Sequence, residues 1–148
     1  RRYCENELVS LLCSSFAEKA QHAGARLDVD ARLPQALDIS DAELCAVLSN
    51  ALENALHAVA ALPENERTVS LYCAVRLGKL LIEVKNPYAG ELTLSPDGRP
   101  VTARKGHGYG CQSIQTIAAR SGVLCEFNAS CGTFCLQIVL PLKAAAPA

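Results

Sequence analysis

Leu48-Ser49-Asn50-Ala51-Leu52-Glu53-Asn54-Ala55-Leu56-His57-Ala58 is the stretch on which the reading of this chain turns. Ser40-Asp41-Ala42-Glu43 upstream has the form of a capping box, which satisfies the first free amides of a helix, and Pro63 closes it. The spacing therefore predicts a helix from about Asp41 to Leu62. Leu44, Val47, Leu48, Leu52, Ala55, Leu56 and Val59 recur at helical intervals as its buried stripe. Asn50, Glu53, Asn54 and His57 are left largely on other faces. Asparagine is a mediocre helix former, so two of them in mid-helix cost a few tenths of a kcal/mol each without local return. A merely solvated face would favour lysine and glutamate. Asn50 and Asn54 are four apart and share a face, where both amide oxygens can meet one cation. Such oxygens suit Mg²⁺, which keeps several waters and completes its shell from substrate phosphates.

Outward from this helix the pattern is mixed. Leu8, Leu11, Leu12, Phe16 and Ala20 predict a helix from Glu5 to about His22, with Gly24 as its stop. Arg26-Leu27-Asp28-Val29-Asp30 alternates as a strand does, and Pro34 ends it. Thr68 to Arg76 and Lys79 to Lys85 read as strands joined by a tight hairpin at Leu77-Gly78. Between Asn86 and Lys105, Pro87, Gly90, Pro96, Gly98 and Pro100 mark a loop of about twenty residues, and a loop that long in a compact domain reads as a lid. A helix from about Gln112 to Arg120 follows, with Gly122 as its stop. Strands Val123 to Asn128 and Thr133 to Leu140 join at Ser130-Cys131-Gly132. The order implies an α+β fold, a two-layer sandwich with helices on one face of a mixed, mostly antiparallel sheet. One domain is expected over 1–142, with 143–148 a disordered tail.

Gly106-His107-Gly108-Tyr109-Gly110 closes the lid and opens the next helix, where free amides and the positive end of the helix dipole favour phosphate. Alone it reads equally as a flexible hinge. It lacks the full G-x-G-x-x-G of a dinucleotide fold, and no lysine-serine or lysine-threonine pair follows it.

The 148 residues carry a net charge of -1 and are half apolar, which favours neither disorder nor a basic nucleic-acid surface. No apolar run approaches the roughly 18–20 residues of a membrane span. The eight cysteines include no C-x-x-C pair, and most sit where a core residue is due. They read as reduced, buried thiols of a cytoplasmic protein rather than disulfides or metal ligands. The chain has no methionine and opens in Arg1-Arg2-Tyr3-Cys4 on what already reads as a helix, so it is expected to be a piece of a longer protein.

The arrangement resembles the ATP-binding domain of sensor histidine kinases, within the GHKL superfamily (Bergerat fold) shared with type II topoisomerases and mismatch-repair ATPases. The likeness runs from the first helix to Pro141. Leu48 to Ala58 looks like the N box, Gly106 to Gly110 like the second glycine box, and Cys131-Gly132-Thr133-Phe134 with Val139-Leu140-Pro141 like the final strand. The branch it resembles most is that of peptide quorum-sensing and citrate-type sensor kinases.

The resemblance implies ATP and Mg²⁺ as ligands. Asn54 would be the metal ligand, and Asn50 would position metal, water or phosphates. Glu53 would polarise a water, or else face solvent. His57 falls where related kinases often carry a basic residue facing the phosphates, the alternative being an exposed helix histidine. Lys105 and Arg104 would pair with the triphosphate, and Gly106, His107, Gly108, Tyr109 and Gly110 would cradle it. The family's Asp-x-Gly-x-Gly, whose aspartate holds the adenine amino group, is absent. Asn86-Pro87 stands at that strand end, and the Asn86 amide oxygen can accept the same hydrogen bond. Thr133 would support that contact. Cys111 replaces a leucine that commonly follows the glycine box.

Transfer of the γ-phosphoryl would go to a histidine on a phosphoacceptor domain of the same parent protein, since His22, His57 and His107 lie in no acceptor helix. A response regulator is the implied onward partner, and the whole is expected to be the cytoplasmic part of a membrane-bound sensor, with no membrane contact of its own. Two alternatives stand beside this: a nucleotide-sensing or scaffold module without phosphotransfer, and a serine kinase controlling a sigma factor.

Overall fold

The structure, a computed structural model, describes residues 3–88, 93–94, 100–101, 124–130 and 132–142. Helix α1 (Glu7–His22) begins later than the expected Glu5 because Asn6 caps it. The Asn6 Oδ1 accepts from the Val9 amide at 3.0 Å, and its Nδ2 donates to the Gln35 carbonyl at 3.3 Å. One buried amide thus satisfies a helix start and ties it to the loop before the second helix. Gly24, at φ +70°, terminates α1 as expected. The Ala25 amide reaches back to the Ala20 carbonyl at 2.8 Å and the Gly24 amide to that of Gln21 at 3.1 Å, a Schellman motif.

Helix α2 (Asp41–Val59) starts where its capping box places it, with Ser40 Oγ accepting from the Glu43 amide at 3.0 Å. It ends before the expected Leu62. Leu62 precedes Pro63, and the α conformation is disfavoured before proline. The chain therefore tightens, the Leu62 amide bonding to the Val59 carbonyl at 3.0 Å.

Strands β1 (Arg26–Arg32), β2 (Thr68–Arg76) and β3 (Lys79–Pro87) are followed by β4 (Thr93–Leu94), β5 (Pro100–Val101), β6 (Leu124–Ser130) and β7 (Thr133–Pro141). One five-stranded sheet runs β1-β2-β3-β7-β6, with β1 and β2 parallel and the other three ladders antiparallel. The turn between β2 and β3 has Leu77 at φ +52° and Gly78 at φ +73°, the double left-handed geometry that matches strand twist. β3 runs past the expected Lys85 because Asn86 and Pro87 still pair with Phe134 and Thr133. Within the stretch read as one long loop, β4 and β5 form a two-stranded ladder, Thr93 opposite Val101 and Leu94 opposite Pro100, a local order that the Pro- and Gly-rich composition conceals. The helix expected from Gln112 to Arg120 and the tail at 143–148 lie outside the described residues.

Helix α1 packs on α2 and β1, and α2 on β2 and β3. The core between the layers joins Val9, Cys13, Phe16 and Ala20 of α1 to the α2 stripe and to Val69, Leu71, Leu80, Ile82, Val84, Leu136, Ile138 and Leu140 of the sheet. This is the expected α+β arrangement. Burial of Cys13 and Cys73 pushes each thiol up to about 12, so both stay protonated and behave as small apolar groups. Cys4, Cys13, Cys45, Cys73 and Cys135 form no disulfide among the described residues. No helix among the described residues is long and apolar enough to cross a membrane.

Candidate functional site

The direction of α2 relative to the sheet decides which of its residues can meet at one place. Ser40 and Glu43, at its start, share a cavity of about 570 Å³ with Leu140, Pro141 and Leu142, and Leu140 pairs with Leu80 near the beginning of β3. The helix therefore starts over the beginning of β3 and runs toward its end, at Asn86. Asn50, Asn54 and His57 step in that direction over about 10 Å at 1.5 Å per residue.

At 100° per residue, the buried stripe leaves two flanks. Glu53 lies toward α1, where its carboxylate meets Lys19 Nζ at 2.6 Å with both side chains about half exposed, 55% and 56%. The residue read as polarising a water or facing solvent is thus also one arm of a clamp between the helices. Asn50 and Asn54, both half-buried, lie on the other flank of the stripe from Glu53. His57 is exposed at the edge of that flank. Asn50 makes no side-chain hydrogen bond among the described residues. Two neutral amide oxygens one turn apart fit a hard cation whose charge is balanced by a ligand. No group of three or more His, Cys, Asp or Glu able to hold a metal occurs among the described residues.

Asn86 continues the buried register Leu80, Ile82, Val84 on the helix-covered face of β3. It is 4% exposed. Its Nδ2 donates to the Pro87 carbonyl at 2.9 Å, and its Oδ1 accepts no hydrogen bond among the described residues. A buried acceptor without a donor costs about 1–3 kcal/mol, so this oxygen marks a place where a ligand donor fits.

The register does not bring Thr133 to the same place. Thr133 pairs with Pro87, whereas Phe134 pairs with Asn86. Cross-strand partners share a face, so Phe134 lies on the helix side with Asn86, and Thr133 is exposed on the other. Thr133, expected to support Asn86, is thus one position away along β7 and on the opposite face. Phe134 could have been found by counting in twos back from the buried Leu140, Ile138 and Leu136, but the glycine-threonine motif drew attention to its neighbour. The Lys19 partner of Glu53 had no sequence signal, because the two are far apart in the chain. Arg104, Lys105, Gly106, His107, Gly108, Tyr109, Gly110 and Cys111 lie outside the described residues.

Solved structures share this fold. The chain is similar in structure to the catalytic domain of histidine kinase ThkA in a nucleotide-free form, at 18% identity and a TM-score of 0.70, covering 91% of this chain and 90% of that one. It is also similar to Acinetobacter baumannii histidine kinase AdeS, at 11% identity and a TM-score of 0.67, covering 92% of this chain and 64% of that one. Full-length ShkA in complex with AMPPNP matches at 19% identity and a TM-score of 0.71, over 95% of this chain and 30% of that one. The chain thus spans less than two thirds of the AdeS and ShkA chains it matches. A comparison with the curated proteins finds no match. A family model described as the GHKL domain matches residues 39–141, from the cap of α2 to the end of β7, and the chain belongs to the GHKL domain family.

Proposed function

We propose that this domain binds Mg-ATP as the catalytic domain of a sensor histidine kinase and presents the γ-phosphoryl to a histidine on a phosphoacceptor domain of the same parent protein. The observation that carries the reading is the buried Asn86 Oδ1, without a donor among the described residues, at the sheet end toward which α2 carries Asn50 and Asn54. Asn86 would accept from the adenine 6-amino group. Asn54 would hold the metal through its amide oxygen, and Asn50 would orient a metal-bound water or a phosphate. Mg²⁺, when bound, supplies charge neutralisation at the phosphate oxygens. His57, at the exposed edge, would face the phosphates. Lys105 and the run from Gly106 to Gly110 would cradle them with backbone amides and a cationic side chain. Glu53, held by Lys19, is assigned no chemical step, and Thr133 no ligand contact. Transfer breaks the bond between the γ-phosphorus and its bridging oxygen as a phosphorus–nitrogen bond forms to the incoming imidazole, releasing ADP. A response regulator would take the phosphoryl onward, and the site of action would be the cytoplasm.

The test is a calorimetric titration with ATP and Mg²⁺. Binding by the parent and its loss in Asn54→Ala are expected; equal binding by the two proteins would remove Asn54 from the site. The replacement of the family's aspartate motif by Asn86-Pro87 favours a second reading, a nucleotide-sensing or scaffold module. ATP binding without phosphohistidine formation, when the acceptor domain is added in trans, would select it.

A further inference from the structure

Arg67 leads into β2, and its guanidinium joins the two helices. Its Nε donates to the Leu62 carbonyl at 2.8 Å, and its Nη1 donates to the Ala23 carbonyl at 2.9 Å. Ala23 is the C-cap of α1, and Leu62 follows the end of α2 at Val59. Both acceptors belong to helix C-terminal ends, where free carbonyls and the negative end of the dipole favour a cation. The Arg67 carbonyl accepts from the Arg26 amide at 2.8 Å, where the parallel ladder opens with Arg26 opposite Thr68. One residue thus ties the ends of both helices to the starts of two strands.

This knot lies at the end of the sheet to which α2 carries its asparagines. β2 starts where β3 finishes, since the two run antiparallel with Ser70 opposite Lys85. Asn54 and His57 belong to the last two turns of α2, next to the segment that Arg67 holds. Gly24 leaves the knot its room: a Cβ there would stand 3.3 Å from Arg67 Nη1 and 2.9 Å from Glu64 Oε1.

Resting on the nucleotide reading above, we infer that Arg67 is a positioning residue for the metal end of the site. By holding Leu62 to Ala23 it fixes the C-terminal half of α2, and with it the separation of Asn54 from Asn86 that one Mg-ATP has to span. It touches neither nucleotide nor metal. Asn86 is placed by the ladder between β3 and β7 and does not depend on the knot. Loosening Arg67 therefore weakens what Mg²⁺ adds to binding more than what the base adds.

The experiment is calorimetric titration with ATP in the presence of Mg²⁺ and in its absence, on the parent and on Arg67→Lys. Lysine keeps the charge but lacks the planar fork that meets two carbonyls at once. Titrations run well below the Tm of each protein, so that lost stability alone leaves the ratio of the two Kd values unmoved. The factor by which Mg²⁺ tightens ATP binding is expected to shrink about fivefold or more in Arg67→Lys, the lower end of ordinary coupling between sites. An unchanged factor in the folded variant, including equal weakening of both titrations, overturns the positioning role and leaves the nucleotide reading standing. No binding of ATP by the parent in either condition overturns both, and binding without any effect of Mg²⁺ removes the metal role of Asn54 together with that of Arg67. Should Arg67→Lys fail to fold, Gly24→Ala, which presses on the guanidinium without removing it, is expected to shrink the same factor. The parent alone supplies a further arm: coupling is reciprocal, so Mg-ATP must slow hydrogen exchange at the Arg67 Nε–H, and an unaltered rate at saturating Mg-ATP overturns the proposal.

Discussion

Lys19 of α1 and Glu53 of α2 meet at 2.6 Å, with both side chains about half in solvent. A pair this exposed is worth at most about 1 kcal/mol, since water screens it and two long side chains must be held still. Glu53→Gln is therefore expected to change stability by less than about 1 kcal/mol in urea denaturation and to leave the ATP Kd unchanged. A loss of phosphotransfer by two orders of magnitude or more in that variant, with ATP binding intact, would return Glu53 to a chemical role.

Asn50 is half-buried in mid-helix and makes no side-chain hydrogen bond among the described residues. Alanine is the better helix former by roughly 0.5 kcal/mol. Asn50→Ala should raise the unfolding free energy by about that amount while weakening Mg-ATP binding tenfold or more. Opposite signs for stability and binding are the mark of a residue retained for a ligand. A variant that loses both would mark Asn50 as structural.

Leu77 is 98% exposed and holds φ +52°, a backbone region that costs a side-chain-bearing residue about 1–2 kcal/mol. Its side chain recovers nothing by burial. Leu77→Asn creates the Asn-Gly pair that this hairpin geometry prefers, and it is expected to stabilise the domain by roughly 1 kcal/mol. A thermal melt that shows a lower Tm would refute this account of the turn.

Cys13 and Cys73 are fully buried, and burial pushes both thiols up to about 12 from an ordinary value of 9.0. In the unfolded chain they ionise near 9, so raising the pH favours unfolding. Stability is expected to be flat below about pH 8 and to fall between 9 and 12, with a limiting slope of about 1.4 kcal/mol per pH unit for each thiol. Urea melts at pH 8, 9 and 10, with Cys73→Ala as comparison, read this directly. At pH 8, alkylation followed by mass spectrometry should label Cys45 well before Cys13 or Cys73; early labelling of the buried pair would contradict the packing.

Much of the framework was legible in the chain. The Ser40 cap, the Gly24 stop and the Leu77-Gly78 turn are local devices, each settled by the chemistry of a few neighbouring residues, and each appears where expected. The α2 stripe was legible because a core needs apolar groups at the helical period. The ends of elements were read less well where pairing partners decide them. β3 runs on to Pro87 only because β7 lies alongside it.

The sequence by itself determined the types of α1, α2, β1, β2, β3, β6 and β7, the buried stripe of α2, and the two asparagines that make little sense as helix formers. Only the tertiary structure decided that β7 lies beside β3, that Asn86 faces Phe134 and not Thr133, and that Glu53 reaches Lys19. The reason is physical: periodicity is a local property that assigns a residue to a face. Which residue it meets there depends on strand order, register and helix direction, set by burying the whole core at once.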